Sequence, residues 1–277
     1  SWKFFKLSIK RPFTHLDLET DDPKSKFLNH LAGAEWRLIA WLEREGIKYD
    51  YASGTELNND DKLLKSYKAI ILSSHCEYWS KKMYENLYNN HNSNGLWIIN
   101  LSGNTMYREI DFYPDGSTQC KSLSFKDSCA DETELTGGRF DPLDYGTAAP
   151  YKIMDSKHWI FNGIELPKDN LIGRKSLNSN VPAKSKLYDP GRIGRPNGLE
   201  GEGASGWECD KRPNHQKKNF HLIAKGTNPK GGAEMVMKEP TKNRGGVFSV
   251  GSITFGASLL IDDVLSKMVK NLINKIN

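Results

Sequence analysis

Two short apolar runs separated by a helix-length segment constrain the fold more than any other feature of the sequence. Ala69–Ser73 and Leu96–Leu101 have the length and composition of buried strands. Between them, Ser80 is a suitable N-cap for a helix that continues through Asn90. Strands that alternate with helices form right-handed crossovers and a parallel sheet with helices on both faces. The sequence therefore predicts an α/β fold.

The rest of the chain divides into regular ends and an irregular middle. Periodicity predicts further strands at Lys3–Ile9, Lys48–Ala52 and Gly246–Thr254, and further helices at Leu31–Glu45, Asp61–Tyr67 and Ile261–Ile276. From Phe112 to about Gly245 the chain has short possible strands and long polar loops, of which Lys184–Ser205 is the clearest. We interpret residues 1–277 as one domain, with an α/β core at 1–110 and 245–277 and an inserted loop-rich lobe at about 111–244.

Charge and composition limit the classes of partner. The formal charge of +5 comes from scattered lysines, and the densest basic group lies in a polar loop that we interpret as solvated rather than as a nucleic-acid site: Lys211, Arg212, Lys217 and Lys218. No apolar run approaches the ~18 residues of a membrane span. The chain starts at Ser1 without a signal peptide, so we expect a processed or partial chain and a cytoplasmic location.

The cysteines do not form a recognisable metal motif. The four have no CxxC spacing and no neighbouring pair of histidines, which argues against structural zinc. Cys120 and Cys129 could pair across a hairpin in an oxidising compartment, but four cysteines suit a reduced cytosolic protein equally well. The sequence leaves both possibilities open.

Polar side chains follow both apolar runs. His75 and Glu77 come after the first run, and Ser102, Gly103 and Asn104 come after the second. Ligands bind beyond the carboxyl ends of strands in such sheets, so the two groups should meet. His75 and Glu77 are two residues apart and would face one pocket, as metal ligands or as a base and its orienting partner. They could instead only hydrogen-bond a carbonyl and support a helix N-terminus.

Cys76 suggests a nucleophile, because a helix N-terminus would lower the pKa of its thiol. Its side chain should point away from those of His75 and Glu77, however, since successive residues of an extended segment alternate. A nucleophile elbow also needs glycines two residues before and after, where this chain has Ser74 and Tyr78. We therefore interpret Cys76 as a structural thiol.

A third cluster is the stretch "GASGWECDKR", in which Glu208 and Asp210 alternate after a glycine-rich loop. An acidic residue that a loop brings to a pocket is suited to general acid or base catalysis. A salt bridge with Lys211 or Arg212 explains the same residues without catalysis, and on spacing alone it is the better interpretation.

Several stretches resemble one known family. "AEWRLIAWLEREGIKYDY", "KAIILSSHCEYWS" and "GLWIINLSGNTMYR" resemble the C-terminal catalytic domain of the large subunit of bacterial N,N-dimethylformamidase. "SIKRPF" near the start and "HWIFNG", "GASGWECD" and "GGVFSVGSITFGASL" further on follow the order of that family. The resemblance covers nearly the whole chain. The H-x-E-Y-W and G-N elements are fairly specific in combination.

The resemblance implies a fold similar to class I glutamine amidotransferases, with a parallel sheet flanked by helices. It implies a mononuclear iron, held by two tyrosines and a glutamate, that activates water to attack a small amide. The glutamate ligand matches Glu77, the adjacent histidine matches His75, and further site positions match Asn104 and Glu208. It also implies an oligomer that includes a small partner subunit.

The chain departs from the family at the ligand positions. One tyrosine position falls on Phe13, which cannot bind a metal, the other would precede Ser1, and Cys76 replaces an aspartate. Our first hypothesis is an iron-dependent amidohydrolase with Glu77 and His75 at the metal. The second is a binding or structural module that kept the fold and lost the metal. A weaker third is a cysteine-dependent hydrolase that uses Cys76 and His75.

Overall fold

The structure is a computed structural model that describes residues 5–8, 10, 22–24, 31–178 and 199–277. Phe13 and most of the predicted loop Lys184–Ser205 lie outside the described residues. The strands are β1 (Lys6–Ser8), β2 (Ala69–Ser74), β3 (Tyr78–Trp79), β4 (Trp97–Ser102), β5 (Arg108–Phe112), β6 (Ser117–Ser122), β7 (Arg139–Asp141), β8 (Thr147–Ala149), β9 (Tyr151–Ile153), β10 (Leu171–Ile172), β11 (Glu200–Gly201), β12 (Ser205–Gly206), β13 (Cys209–Lys211), β14 (His221–Gly226), β15 (Glu234–Lys238) and β16 (Val247–Ser249). The α-helices are α1 (Leu31–Arg44), α2 (Gly54–Asn59), α3 (Lys81–Asn94), α4 (Phe125–Ser128), α5 (Thr133–Thr136) and α6 (Asp263–Ile276).

A mixed sheet forms the centre of the molecule, with the strand order β10-β9-β14-β15-β16-β4-β2. β2, β4 and β16 run parallel to one another, whereas β15, β14, β9 and β10 continue the sheet in antiparallel pairs. The α/β class is correct, but the prediction of a parallel sheet holds only for one side. The antiparallel strands come from the segment predicted as a loop-rich lobe, where short connections allow neighbouring strands to reverse direction.

Alternating residues of the central strands separate two hydrophobic cores. Ile99 of β4 and Phe248 of β16 face one core, whereas Ile98 and Val247 face the other. The first core is covered by α1 and α6, and the second by α2 and α3. This is the period-two burial of strands covered on both faces. It holds the carboxyl ends of β2 and β4 in a rigid frame.

Local signals explain where the helices begin. The hydroxyl of Ser80 accepts a hydrogen bond from the Met83 N–H and caps α3 as predicted, and Gly95 ends that helix in the left-handed conformation. Ser53 and Glu56 form a capping box at α2 that we did not predict, although the spacing S-x-x-E was present in the sequence. No helix in the described part of the chain is long and apolar enough to cross a membrane.

Four predicted elements differ from the structure. Lys48–Ala52 belongs to no helix or strand, and its backbone makes no hydrogen bond with a described residue. Asp61–Tyr67 is reduced to a single 3-10 turn at Leu63–Ser66, and Gly246–Thr254 to the three residues of β16. In the described part of Lys3–Ile9, β1 pairs with β6 rather than with the central sheet.

Smaller sheets complete the surroundings of the two strand ends. β3 pairs with β5 in parallel and places Tyr78 opposite Arg108. β13 pairs with β7, and Cys209 also bridges to Ser252 just beyond β16. The segment around Glu208 is thereby held against the same end of the central sheet.

Candidate functional site

The carboxyl ends of β2 and β4 lie side by side, with Ser74 opposite Ser102. The Gly103 N–H donates to the Ser74 carbonyl at 3.3 Å, and the Cys76 N–H donates to the Ser102 hydroxyl at 3.0 Å. Ser74 adopts a positive φ of 56°, which turns the chain sharply out of β2. The polar residues that follow each strand are therefore close together, as expected for parallel neighbours.

The His75 imidazole lies between two carboxylates. Its Nε2 is 3.2 Å from an oxygen of Glu77, and its Nδ1 is 3.4 Å from an oxygen of Glu208 and 3.3 Å from the Gly103 carbonyl. Burial by itself would lower the pKa of His75, but the Glu77 hydrogen bond and the Glu208 charge outweigh burial and raise the pKa above its usual value. Since both ring nitrogens face acceptors, the structure favours the doubly protonated imidazolium.

Glu77 uses both carboxylate oxygens in ionic contacts. One oxygen faces His75 and the other accepts a hydrogen bond from the Arg108 guanidinium. Burial would raise the pKa of Glu77, but the His75 and Arg108 hydrogen bonds hold it below its ordinary value. Sequence reasoning missed Arg108, which no local motif distinguishes from other arginines. Only the pairing of β3 with β5 brings it to the site.

Glu208 reaches the site because the chain around it packs closely on Gly103. A Cβ atom on Gly103 would lie 2.3 Å from the Glu208 carbonyl oxygen and 2.8 Å from the Ile253 nitrogen. Burial raises the pKa of Glu208, and the nearby His75 and the Asn104 side chain offset this only in part. The predicted alternative, a salt bridge from Glu208 to Lys211 or Arg212, is wrong, since these cations pair with other carboxylates, those of Asp141, Asp144 and Glu234.

The backbone of Asn104 is fixed by the buried carboxyl group of Asp210. It adopts a positive φ of 53°, a conformation that asparagine tolerates, and its N–H donates to Asp210 at 2.8 Å. Burial raises the pKa of Asp210 to about 7, although the Asn104 and Thr105 N–H groups favour its ionised form. Within the described residues, the side-chain oxygen of Asn104 and one oxygen of Asp210 are buried without a hydrogen-bond partner. This part of the site has more acceptors than donors.

Cys76 faces away from the imidazole, as predicted. Its thiol donates to the Ser73 carbonyl at 3.3 Å and lines a groove on the opposite side of the chain. Burial, together with the charge of Glu35, raises the pKa of Cys76 to about 12. A thiol with that pKa is a poor nucleophile, so the cysteine-dependent hypothesis is not supported. All four cysteines are free thiols, and Cys120 and Cys129 are not paired.

The described residues do not provide a complete set of iron ligands. Nowhere in residues 31–178 and 199–277, nor in the short described segments before them, do three or more His, Cys, Asp or Glu side chains form a group that could hold a metal. Glu77 and His75 lie together, but Arg108 occupies one carboxylate oxygen and the imidazole faces acceptors on both sides. A ferric ion would require ligands beyond these two.

Comparison with known proteins identifies the family to which the chain belongs. Residues 2–267 match the family described as N,N-dimethylformamidase beta subunit-like, C-terminal. A relative is the N,N-dimethylformamidase beta subunit of Alcaligenes sp, which is 32% identical over 85 residues; the match covers 30% of this chain and only 11% of that protein. Among solved structures, Cytoplasmic Protein STM3548 from Salmonella typhimurium has a TM-score of 0.47 at 9% identity, with 86% of this chain and 85% of that chain covered. The match over residues 2–267 shows that the chain belongs to the N,N-dimethylformamidase beta subunit-like C-terminal family.

Proposed function

We propose that this chain hydrolyses the C–N bond of a small amide at the site formed by His75, Glu77, Asn104 and Glu208. The observation that supports the proposal is the position of the His75 ring, which has a carboxylate oxygen within 3.4 Å of each of its nitrogens. Such an arrangement can move a proton and stabilise developing negative charge in a buried place. Family membership agrees with this chemistry, although fold alone does not establish it.

The two carboxylates have different roles in the proposal. The lowered pKa of Glu77 keeps it ionised, so it orients His75 and balances its charge. The raised pKa of Glu208 brings it closer to neutral pH, where an acid–base catalyst is most effective. Glu208 accepts a proton from the attacking water as the water oxygen bonds to the carbonyl carbon. It then returns that proton to the amide nitrogen as the C–N bond breaks.

Asn104 and His75 position the substrate in this scheme. The buried side-chain oxygen of Asn104 accepts from a donor such as the leaving amine, and the positive charge of the His75 imidazolium stabilises the negative charge that develops on the carbonyl oxygen. Arg108 holds Glu77 in place and does not touch the reacting atoms. Burial of these groups strengthens their interactions with the charge that develops during the reaction.

Iron binding and a small partner subunit remain predictions from the family. The proton transfers of Glu208 do not depend on iron. Elemental analysis of the purified protein tests the metal directly: stoichiometric iron that disappears in Glu77→Ala supports iron at Glu77. Equal metal content in the two proteins contradicts it.

Amine release from formamide, N-methylformamide and N,N-dimethylformamide tests the activity. We expect turnover in the wild type and a loss of about 100-fold or more in Glu208→Gln, which keeps the shape but cannot carry a proton. Glu202→Gln is the matched control, because Glu202 is an exposed glutamate near Glu208 in sequence. Equal rates in Glu208→Gln and the wild type would contradict the role of Glu208. A folded wild type that binds amides without turnover would support the binding-module hypothesis.

A further inference from the structure

A groove of about 1030 Å³ runs along the edge of the central sheet, beside β2. Its walls come from both helical layers: Leu38 and Ile273 belong to the core under α1 and α6, whereas Leu57 and Met83 belong to the core under α2 and α3. The two layers therefore extend beyond the last strand of the sheet. The space between them continues the plane of the sheet.

Two segments that line the groove have backbone groups without a hydrogen-bond partner among the described residues. β2 pairs with β4 on its inner side, and no described residue pairs with its outer edge between Ile70 and Leu72. Lys48–Ala52 also lines the groove and belongs to no helix or strand, and its backbone makes no hydrogen bond with a described residue. Neighbouring strands lie about 4.8 Å apart, so a strand that enters the groove at this distance from β2 would pair with the outer edge of β2. Backbone groups in such a place are normally paired.

One segment of the chain has complementary features. β1 is exposed throughout, and the apolar side chains of Phe5 and Leu7 are 69% and 50% exposed where they lie beside β6. These residues alternate with Lys6 and Ser8, so one face of the segment is apolar. Residues 9–22 connect the segment to Pro23, whose carbonyl accepts from Arg37 of α1, and these residues can span about 45 Å when extended.

We propose that the groove beside β2 is a strand-accepting site and that its occupant is the segment Phe5–Ser8 of the same chain. In the groove, Phe5 and Leu7 pack against Leu57 and Met83 of the α2–α3 layer. Lys6 then faces the α1 layer, where the Glu35 carboxyl accepts from the Tyr51 hydroxyl at 3.3 Å and has no cation partner among the described residues. β1 thus exchanges between an exposed position at β6 and a buried position at β2.

Hydrogen exchange at the outer edge of β2 tests the proposal. In the wild type we expect the backbone amides of 69–74 that do not donate to β4 to be protected from hydrogen exchange, because they donate to the strand in the groove. In the double variant Phe5→Asp, Leu7→Asp we expect them to exchange at least 10-fold faster, because an inserted carboxylate cannot enter the apolar groove. Leu143→Asp, at a side chain that is 67% exposed, is the control and should leave these amides unchanged. A change confined to Ser117–Ser122, or no change, would overturn the proposal.

Disulfide trapping gives an answer that does not depend on a destabilised variant. Leu7→Cys is combined with Ile70→Cys or Leu72→Cys in a chain that also carries Cys76→Ser and Cys120→Ser. We expect an intramolecular disulfide in at least one combination. A disulfide only between Leu7→Cys and Thr118→Cys, the residues that pair in β1 and β6, would contradict the exchange. Disulfide-linked dimers would identify a second copy as the occupant and also contradict it.

Discussion

The two sides of the candidate site differ in how their charges are balanced. On the paired side, Glu77 lies between His75 and Arg108, and its pKa is lowered. On the acceptor side, Asn104, Glu208 and Asp210 gather buried oxygens, and burial raises the pKa of both carboxyl groups. A carboxylate that is compensated by cations keeps its charge and orients its neighbours. One that is buried among acceptors can exchange a proton near neutral pH.

The largest expected effect concerns the pH dependence of stability on the acceptor side. The pKa of Asp210 is raised from 3.8 to about 7, so the folded protein binds this proton more tightly than the unfolded chain. The contribution of Asp210 to stability is therefore present at low pH and declines as the pH rises from about 4 to about 7. Across this window, we expect the difference in unfolding free energy between the wild type and Asp210→Asn to change by up to about 4 kcal/mol.

Urea denaturation of both proteins at several pH values measures this change. Glu208 titrates in both proteins, and because its charge acts on Asp210, the difference reports the titration of the two coupled carboxyl groups. Asp127→Asn is the control, because Asp127 is exposed and its pKa is lowered by Lys126 and Ser124 rather than raised by burial. If the unfolding free energies of the wild type and Asp210→Asn change in parallel with pH, burial does not raise the pKa of Asp210, and the two sides of the site do not differ in this way.

A smaller effect is expected where the two sides meet. In Gly103→Ala the new methyl group would collide with the Glu208 carbonyl oxygen and the Ile253 nitrogen, which belong to backbone that cannot move freely. We expect a loss of about 3 kcal/mol in unfolding free energy and a displacement of Glu208 from His75. Gly256→Ala is the matched control, since nothing lies within 4 Å of its added methyl group. Similar melting temperatures for the two variants would contradict the close contact.

The smallest effect is expected on the paired side. Arg108→Met removes the cation from a mostly buried Glu77 but leaves His75 in place, and the arginine is itself partly exposed. We expect a loss of about 2 kcal/mol, less than for a fully buried pair. Lys126→Met breaks an exposed pair with Asp127 and should cost much less than Arg108→Met, because solvent screens the two charges. Chemical denaturation at pH 7 measures the loss of unfolding free energy in both variants. Equal losses would mean that the Arg108–Glu77 pair stabilises the protein no more than the exposed Lys126–Asp127 pair.

Local patterns predicted much of the framework correctly. The strands β2 and β4 and the helices α1, α3 and α6 agree with their predicted ranges to within a few residues. Hydrophobic periodicity and the Ser80 cap are properties of neighbouring residues, so they can be read before the chain is folded. The proximity of His75 to Gly103 followed from the same source, because parallel neighbouring strands end at the same edge of a sheet.

Pairings between distant segments could not be predicted in this way. The antiparallel strands β14 and β15 pair with strands of the central sheet, whereas Lys48–Ala52 pairs with no described strand. Which segments pair is decided by distant parts of the chain and not by the residues of each segment alone. β-propensity depends on the strands that lie alongside. Arg108 was missed for the same reason.

The sequence by itself determined the family, the strand–helix–strand unit that carries His75 and Glu77, and the direction in which Cys76 points. The tertiary structure alone decided that Glu208 lies 3.4 Å from His75, that Arg108 compensates Glu77, and that Asp210 is buried beneath Asn104. Burial and charge compensation arise from groups far apart in the chain, and these set the pKa values on which the proposed proton transfer depends. Residue types indicated where chemistry could occur, and packing decided which carboxyl group is able to exchange a proton.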